Sequence, residues 1–195
     1  MKAPNGNPTN LTERQWLQVR TKAFKEWFGD WINDPANASK VIDENSEPLV
    51  VYRASSFNGN GDYTVFDETK GGNYRGFYFT NKESAEINYS GRNLRAFFLN
   101  LTNPDTSNNF NLLQEDKREL PNNDGMIYAP NGIYTDNFEI KVFNPNQIKS
   151  ATDNVGTFST QSNNIKLQRL PNNTRREYLL DKLKSYYSQQ DYIRD

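Results

Sequence analysis

The apolar residues of this chain fall in short runs of period-two alternation set between long polar stretches, and that pattern restricts the fold more than any other feature. In GFYFT (76–80), Phe77 and Phe79 alternate with Tyr78, so in a strand Tyr78 faces away from both phenylalanines. NFEIKVF (137–143) does the same: Phe138, Ile140 and Val142 share one face, while Asn137, Glu139 and Lys141 share the other, away from the packed side. Residues 49–53 and 126–128 read as further short strands, and 96–99 as a buried one; 137–143 is the last core strand expected. The beginning of the chain switches to helical spacing, with Trp16, Val19, Phe24, Trp27, Phe28 and Trp31 recurring on one side. The fold class expected of these helices and short strands is α+β.

Local signals set the helix ends. Thr12 and Gln15 form a capping box, so a first helix starts there; a break near Thr21 and a stop at or soon after Gly29 make two short helices. All three tryptophans lie in this segment, which reads as a helical cap on the core rather than a peptide-docking surface. Residues 1–10, rich in Asn, Pro and Gly, read as an unstructured lead-in. Residues 55–75 read as a long loop, 105–123 as a loop with a short helix, and 159–164 as a linker. Residues 174–187 read as an amphipathic helix with Tyr178, Leu179, Leu183, Tyr186 and Tyr187 on its apolar side. The resulting division is 1–48, a linker and helical segment packed on the core; 49–158, the core; and 159–195, a linker and C-terminal helix.

Composition narrows the chemistry. At 195 residues the chain is long enough for one domain with a proper core. Its 23 basic and 24 acidic side chains give a net charge of −1, so no global field favours nucleic acid or an anionic membrane. The basic residues of the tail read as a solvated helix face, with a nucleic-acid contact as the weaker option. No apolar run approaches the roughly 18 residues of a membrane span. Cysteine and histidine are both absent, which excludes disulfides, zinc–thiolate sites, thiol nucleophiles and Ser-His-Asp chemistry. Any catalysis must rest on carboxylates, Arg, Lys, Tyr, Ser and backbone groups, and no metal is expected.

A helix after the strand at 76–80 would return Tyr89 towards the strand's end. Two tyrosine rings so placed can sandwich a flat cation such as the nicotinamide of NAD⁺, although strand–helix tyrosines also occur as half-buried core residues. Two other segments stand in order with this one: LVVYRASS (49–56), ending on Arg53, and NFEIKVFNPNQIKSA (137–151), with Glu139 near its start and Gln147 beyond its end. Tyr78 and Tyr89 are eleven apart, and Glu139 precedes Gln147 by eight. In this ordered set the chain resembles the ADP-ribosyltransferase family, in its diphtheria-toxin and poly(ADP-ribose)-polymerase branch. LTERQWLQVRTKAFKEWFGDW, KVIDENSEPLVVY and FNPNQIKSATDNVGTF resemble, more closely still, the ADP-ribosyltransferase domains of large phage polyvalent and head-associated proteins. The resemblance covers residues 3–158.

It implies a split β-sheet core with an N-terminal helical cap and a C-terminal helix, and NAD⁺ as a substrate used without metal. It implies a mono-ADP-ribosyltransferase, a phage-encoded or toxin-like effector that modifies a host protein in the bacterial cytoplasm, as part of a larger or virion-associated polypeptide. Glu139 is the implied catalytic residue. Arg53, Ala54, Ser55, Tyr78 and Tyr89 are the implied NAD⁺-binding residues, and Tyr134 and Asn137 the implied target-recognition residues. The chemistry suits a lone carboxylate. Cleaving the nicotinamide–ribose bond creates an oxocarbenium-like sugar, and the leaving group departs neutral, so no protonating histidine is needed. Arg53 and Ala54 are departures, standing where this branch usually has His and Gly. Arg53 also reads as a surface arginine at a strand end. An NAD⁺ glycohydrolase, a module that keeps the fold without the activity, and a nucleic-acid ADP-ribosyltransferase remain alternatives.

Overall fold

The computed structural model describes residues 1–54, 64–66, 76–88, 93–115, 119–133 and 137–166. Helices α1 (Glu13–Val19) and α2 (Lys22–Phe28) come first. Strands β1 (Val51–Ala54) and β2 (Phe77–Phe79), helix α3 (Lys82–Asn88), and strands β3 (Leu94–Leu99), β4 (Gly125–Tyr128), β5 (Glu139–Val142) and β6 (Ile148–Ser150) follow. Short 3₁₀ turns lie at Phe110–Gln114 and Pro145–Gln147. The chain is α+β, with two three-stranded antiparallel sheets ordered β1-β3-β6 and β2-β5-β4.

The sheets meet at one seam. Tyr52 and Thr80 form an isolated antiparallel bridge between β1 and the end of β2, each N–H donating to the other's carbonyl at 2.7 and 3.0 Å. One residue further along β1, the link across the seam is a side chain: Nη1 of Arg53 donates to the Tyr78 carbonyl at 2.9 Å.

Alternation explains the core. Phe77 and Phe79 of β2 and Ile140 and Val142 of β5 pack against Val51, Phe97, Leu99 and Ile148 of the other sheet. Phe79 and Phe97 meet edge to face at 5.3 Å, and Phe66 lies 4.9 Å from Phe77 and 5.6 Å from Phe97. The opposite face of β3 presents Ala96 and Phe98 to a second cluster containing Phe24, Trp27, Phe28, Trp31 and Phe158. Strand β3 is therefore covered on both sides, which is why its run AFFL is apolar throughout rather than alternating. The indoles of Trp27 and Trp31 donate to the carbonyls of Asn146 and Val19, at 3.0 and 3.3 Å, so burying them strands no polar group.

The helical cap follows its local signals. Thr12 and Gln15 make the reciprocal capping box of α1, and the Thr21 side chain caps α2 by accepting from the Phe24 N–H. Gly29 ends α2 at φ +94°, where a Cβ would lie 2.4 Å from the Ala38 Cα, so only glycine fits.

Three sequence expectations need correction. Residues 1–10 are not an unstructured lead-in: Lys2 bridges Pro8, Ala3 is buried, and the Asn5 and Asn7 amides donate to Asn45. Thr9 donates to the fully buried Glu47, whose carboxylate also pairs with Arg20 at 2.6 Å. The asparagines that suggested disorder are hydrogen-bonding groups of tight turns. Strand β6 lies beyond the last strand expected; it is three residues long with Lys149 at its centre, too short to show a period. Residues 159–164 pack on β6 instead of linking away from it. The Ser150 N–H donates to the carbonyl of the fully buried Ile165 at 2.9 Å, and the Lys149 ammonium donates to Ser162 and Asn164. The amphipathic helix expected at 174–187 and most of the loop at 55–75 lie outside the described residues.

Candidate functional site

Strand β5 carries Glu139 and Lys141 on the face opposite the inter-sheet core, as the alternation predicts. That face is not left to solvent. Lys141 is completely buried, and its ammonium donates to the carbonyls of Leu113, at 3.0 Å, and Glu115. The Tyr78 hydroxyl donates to the same Leu113 carbonyl at 2.6 Å. Tyr78 and Lys141 are directly paired across β2 and β5, with the ammonium 5.2 Å from the ring centre. Two neighbouring donors on one carbonyl thus hold the 3₁₀ turn Phe110–Gln114 against the sheet.

Glu139 begins β5 where this cover ends, and it is only partly exposed. Burial pushes its carboxyl above the ordinary carboxylate range, and the positive charges of Arg53 and Lys141 oppose that rise. This combination, a desolvated acid countered by two cations, differs from a solvated strand glutamate and is common at functional sites.

A cleft of about 140 Å³ opens at the seam between the sheets. It is lined by Tyr52 and Arg53 of β1, Tyr78, Phe79 and the following Thr80, Ser84 and Ala85 of α3, Phe110, Tyr128, Asn137, Phe138 and Glu139. The volume is close to that of cavities, about 150 Å³, that accept a single benzene-sized ring. Arg53 is half-buried, with its guanidinium 6.0 Å from the ring centres of both Phe66 and Phe79. The sequence places Asn81 just before α3, where its side chain accepts from the Ser84 N–H at 2.7 Å and caps the helix that brings Ser84 to the cleft.

Of the residues singled out from sequence, the fold gathers Arg53, Tyr78, Asn137 and Glu139 around this one cleft. Ala54 ends β1 with its side chain buried and outside the cleft lining. Ser55, Tyr89 and Tyr134 lie outside the described residues. Gln147 is a structural clamp away from the cleft. Its carbonyl oxygen accepts from the N–H groups of Phe143 and Asn144, and its amide donates to the carbonyls of Asn100 and Asp124.

Sequence reasoning did not single out Thr80, Ser84, Phe110, Tyr128 or Lys141. Tyr128 becomes visible only through register, since β4 sets it directly opposite Glu139. Lys141 shares the alternation face of Glu139, so its side was legible and its burial was not. Phe110 sits in a polar stretch and gives no signal. Chemically, the cleft offers a guanidinium for an anion or a ribose oxygen, aromatic faces for a planar ring, the aliphatic hydroxyls of Thr80 and Ser84, and one carboxylate.

Among the described residues no group of three or more acidic side chains is arranged to hold a metal ion, and no helix is long and apolar enough to cross a membrane. Models of known protein families, curated proteins and solved structures yield no match to the chain.

Proposed function

We propose that the cleft binds the nicotinamide end of NAD⁺ and that the chain is a mono-ADP-ribosyltransferase with a split-sheet core of that family. The observation that carries this reading is the placing of a partly desolvated Glu139 in the same ring-sized cleft as Arg53 and Tyr78, beside the bridge that joins the two antiparallel sheets. The motif resemblance supplies the identity of the ligand. It also extends the proposal to a phage-encoded effector acting on a host protein.

In this reading the guanidinium of Arg53 holds a phosphate or ribose oxygen of NAD⁺, for which its planar fork is suited. The Tyr78 ring borders the cationic nicotinamide. The bond between ribose C1′ and the nicotinamide nitrogen breaks, its electron pair leaves with nicotinamide, and the departing ring becomes neutral. Glu139 stabilises the positive charge that develops on the sugar, an interaction stronger in the transition state than in the ground state. The acceptor's lone pair then forms the new bond to C1′, and the acceptor's proton passes to solvent.

The test pairs wild type with Glu139→Gln. Wild type should melt higher at millimolar NAD⁺, because a ligand of the native state raises stability. It should also release nicotinamide and label proteins in a bacterial lysate from biotinylated NAD⁺. Glu139→Gln should still bind NAD⁺ while its turnover falls at least about 10²-fold. Absence of both binding and nicotinamide release from the wild type would overturn the proposal; release without protein labelling would assign the cleft to hydrolysis instead.

A further inference from the structure

The strand order lays the cleft out in a line. Across the seam and the second sheet the sequence of strands is β1, β2, β5, β4, carrying Arg53, Tyr78, Glu139 and Tyr128 in turn. If NAD⁺ spans the part from Arg53 to Glu139, the ground beyond Glu139 belongs to β4. There Tyr128 stands directly opposite Glu139 in the register, and Phe110 meets it edge to face at 5.4 Å. Both rings line the cleft.

Phe110 is out of place for a core residue. It is 53% exposed, one of the large apolar side chains left open to solvent among the described residues. The turn that carries it is nonetheless fixed, because the Tyr78 hydroxyl and the Lys141 ammonium converge on the Leu113 carbonyl three residues later. An exposed aromatic ring on a pinned turn, lining the same cleft as the reacting carboxylate, has the character of a recognition anchor: apolar area offered at little ordering cost.

We infer that Phe110 and Tyr128 form the acceptor side of the site, an aromatic platform that selects a protein presenting an apolar side chain next to the residue to be modified. This rests on the transferase reading. It adds what decides between protein and water as acceptor: water needs no platform, whereas a protein must dock long enough for its nucleophile to meet C1′. The chemistry of the platform favours an apolar contact over a charged one, since neither ring carries a charge.

The discriminating quantity is the ratio of ADP-ribose fixed on protein to nicotinamide released, measured in one reaction with bacterial lysate and biotinylated NAD⁺. Truncating an aromatic anchor removes more than 1.4 kcal/mol of docking energy, or about tenfold. Phe110→Ala should therefore lower the ratio about tenfold or more, and Phe110→Leu should restore most of it. Because Phe110 is exposed, both variants should fold, which an unchanged melting temperature verifies. A ratio that stays at the wild-type value in Phe110→Ala would overturn the inference, whether both reactions fall together, as for an NAD⁺ contact, or neither changes. A fall in the ratio that Phe110→Leu does not reverse would also overturn it, because the platform would not be apolar in character. Failure of the transferase reading shows itself separately, as wild type that releases no nicotinamide, and removes the inference with it.

Discussion

The buried lysine of β6 gives a sharp test of the fold. Lys149 is fully buried, and burial lowers its ammonium from the ordinary 10.5 to about 8. The folded state therefore holds this proton more weakly than the unfolded chain does. The resulting penalty is fully present below pH 8 and is relieved as pH rises from about 8 towards 10.5, where the unfolded chain still binds the proton and the folded protein has released it. At 1.36 kcal/mol per pH unit the full window corresponds to about 3 kcal/mol, of which about 2 kcal/mol is recovered by pH 9.5. The perturbation is Lys149→Met, which keeps the length of the side chain and removes its titration. Urea unfolding of both proteins at pH 6.5, 8 and 9.5 isolates the effect, because every other titrating group cancels in the difference. Wild type should gain about 2 kcal/mol on the variant between pH 6.5 and 9.5, or roughly 4–8 °C in Tm for a chain of this size. A flat difference, or one of opposite sign, would mean that Lys149 is hydrated in the native state and that residues 159–166 do not close over β6 as described.

Glu139 should behave as an acid that lowers the stability of the fold it serves. Its carboxyl is raised above 4.5 by burial, so the penalty is absent at low pH and complete above the raised value; Glu139→Gln should melt higher than wild type at pH 7.5, with the gain vanishing near pH 4. A variant that melts lower at pH 7.5 would contradict this. Arg53→Lys should raise the KM for NAD⁺ about tenfold or more, since a point charge cannot both reach the Tyr78 carbonyl and present a planar fork to the ligand; an unchanged KM would assign Arg53 to the seam alone. Gln147→Leu should destabilise by about 3 kcal/mol, because it strands backbone groups that the amide now satisfies, and should leave the KM for NAD⁺ unaltered. A loss well under 1 kcal/mol in urea unfolding would show that solvent replaces those bonds.

How the chain divides between what was legible and what was not follows from the range of the forces involved. The capping box at Thr12 and the opposed faces of Phe77–Tyr78–Phe79 rest on neighbours within four residues, and they stand in the fold as the sequence implies. The same holds for the grouping of Glu139 with Lys141, because side chains two apart in a strand share a face. By itself, then, the sequence determined the α+β class, the helical cap, most of the strands, and the absence of thiol and imidazole chemistry. It did not determine which faces would be covered. Lys141 became a buried clamp because a turn nearly thirty residues upstream folds over it, the asparagines of 1–10 found partners near residue 45, and Tyr128 met Glu139 through a register set by the whole of β4 and β5. Burial and cross-strand register are properties of segments brought together from far apart in the chain. The same holds for the cleft, whose lining comes from residues 52 to 139 and includes Tyr52 and Thr80, the pair that bridges the two sheets.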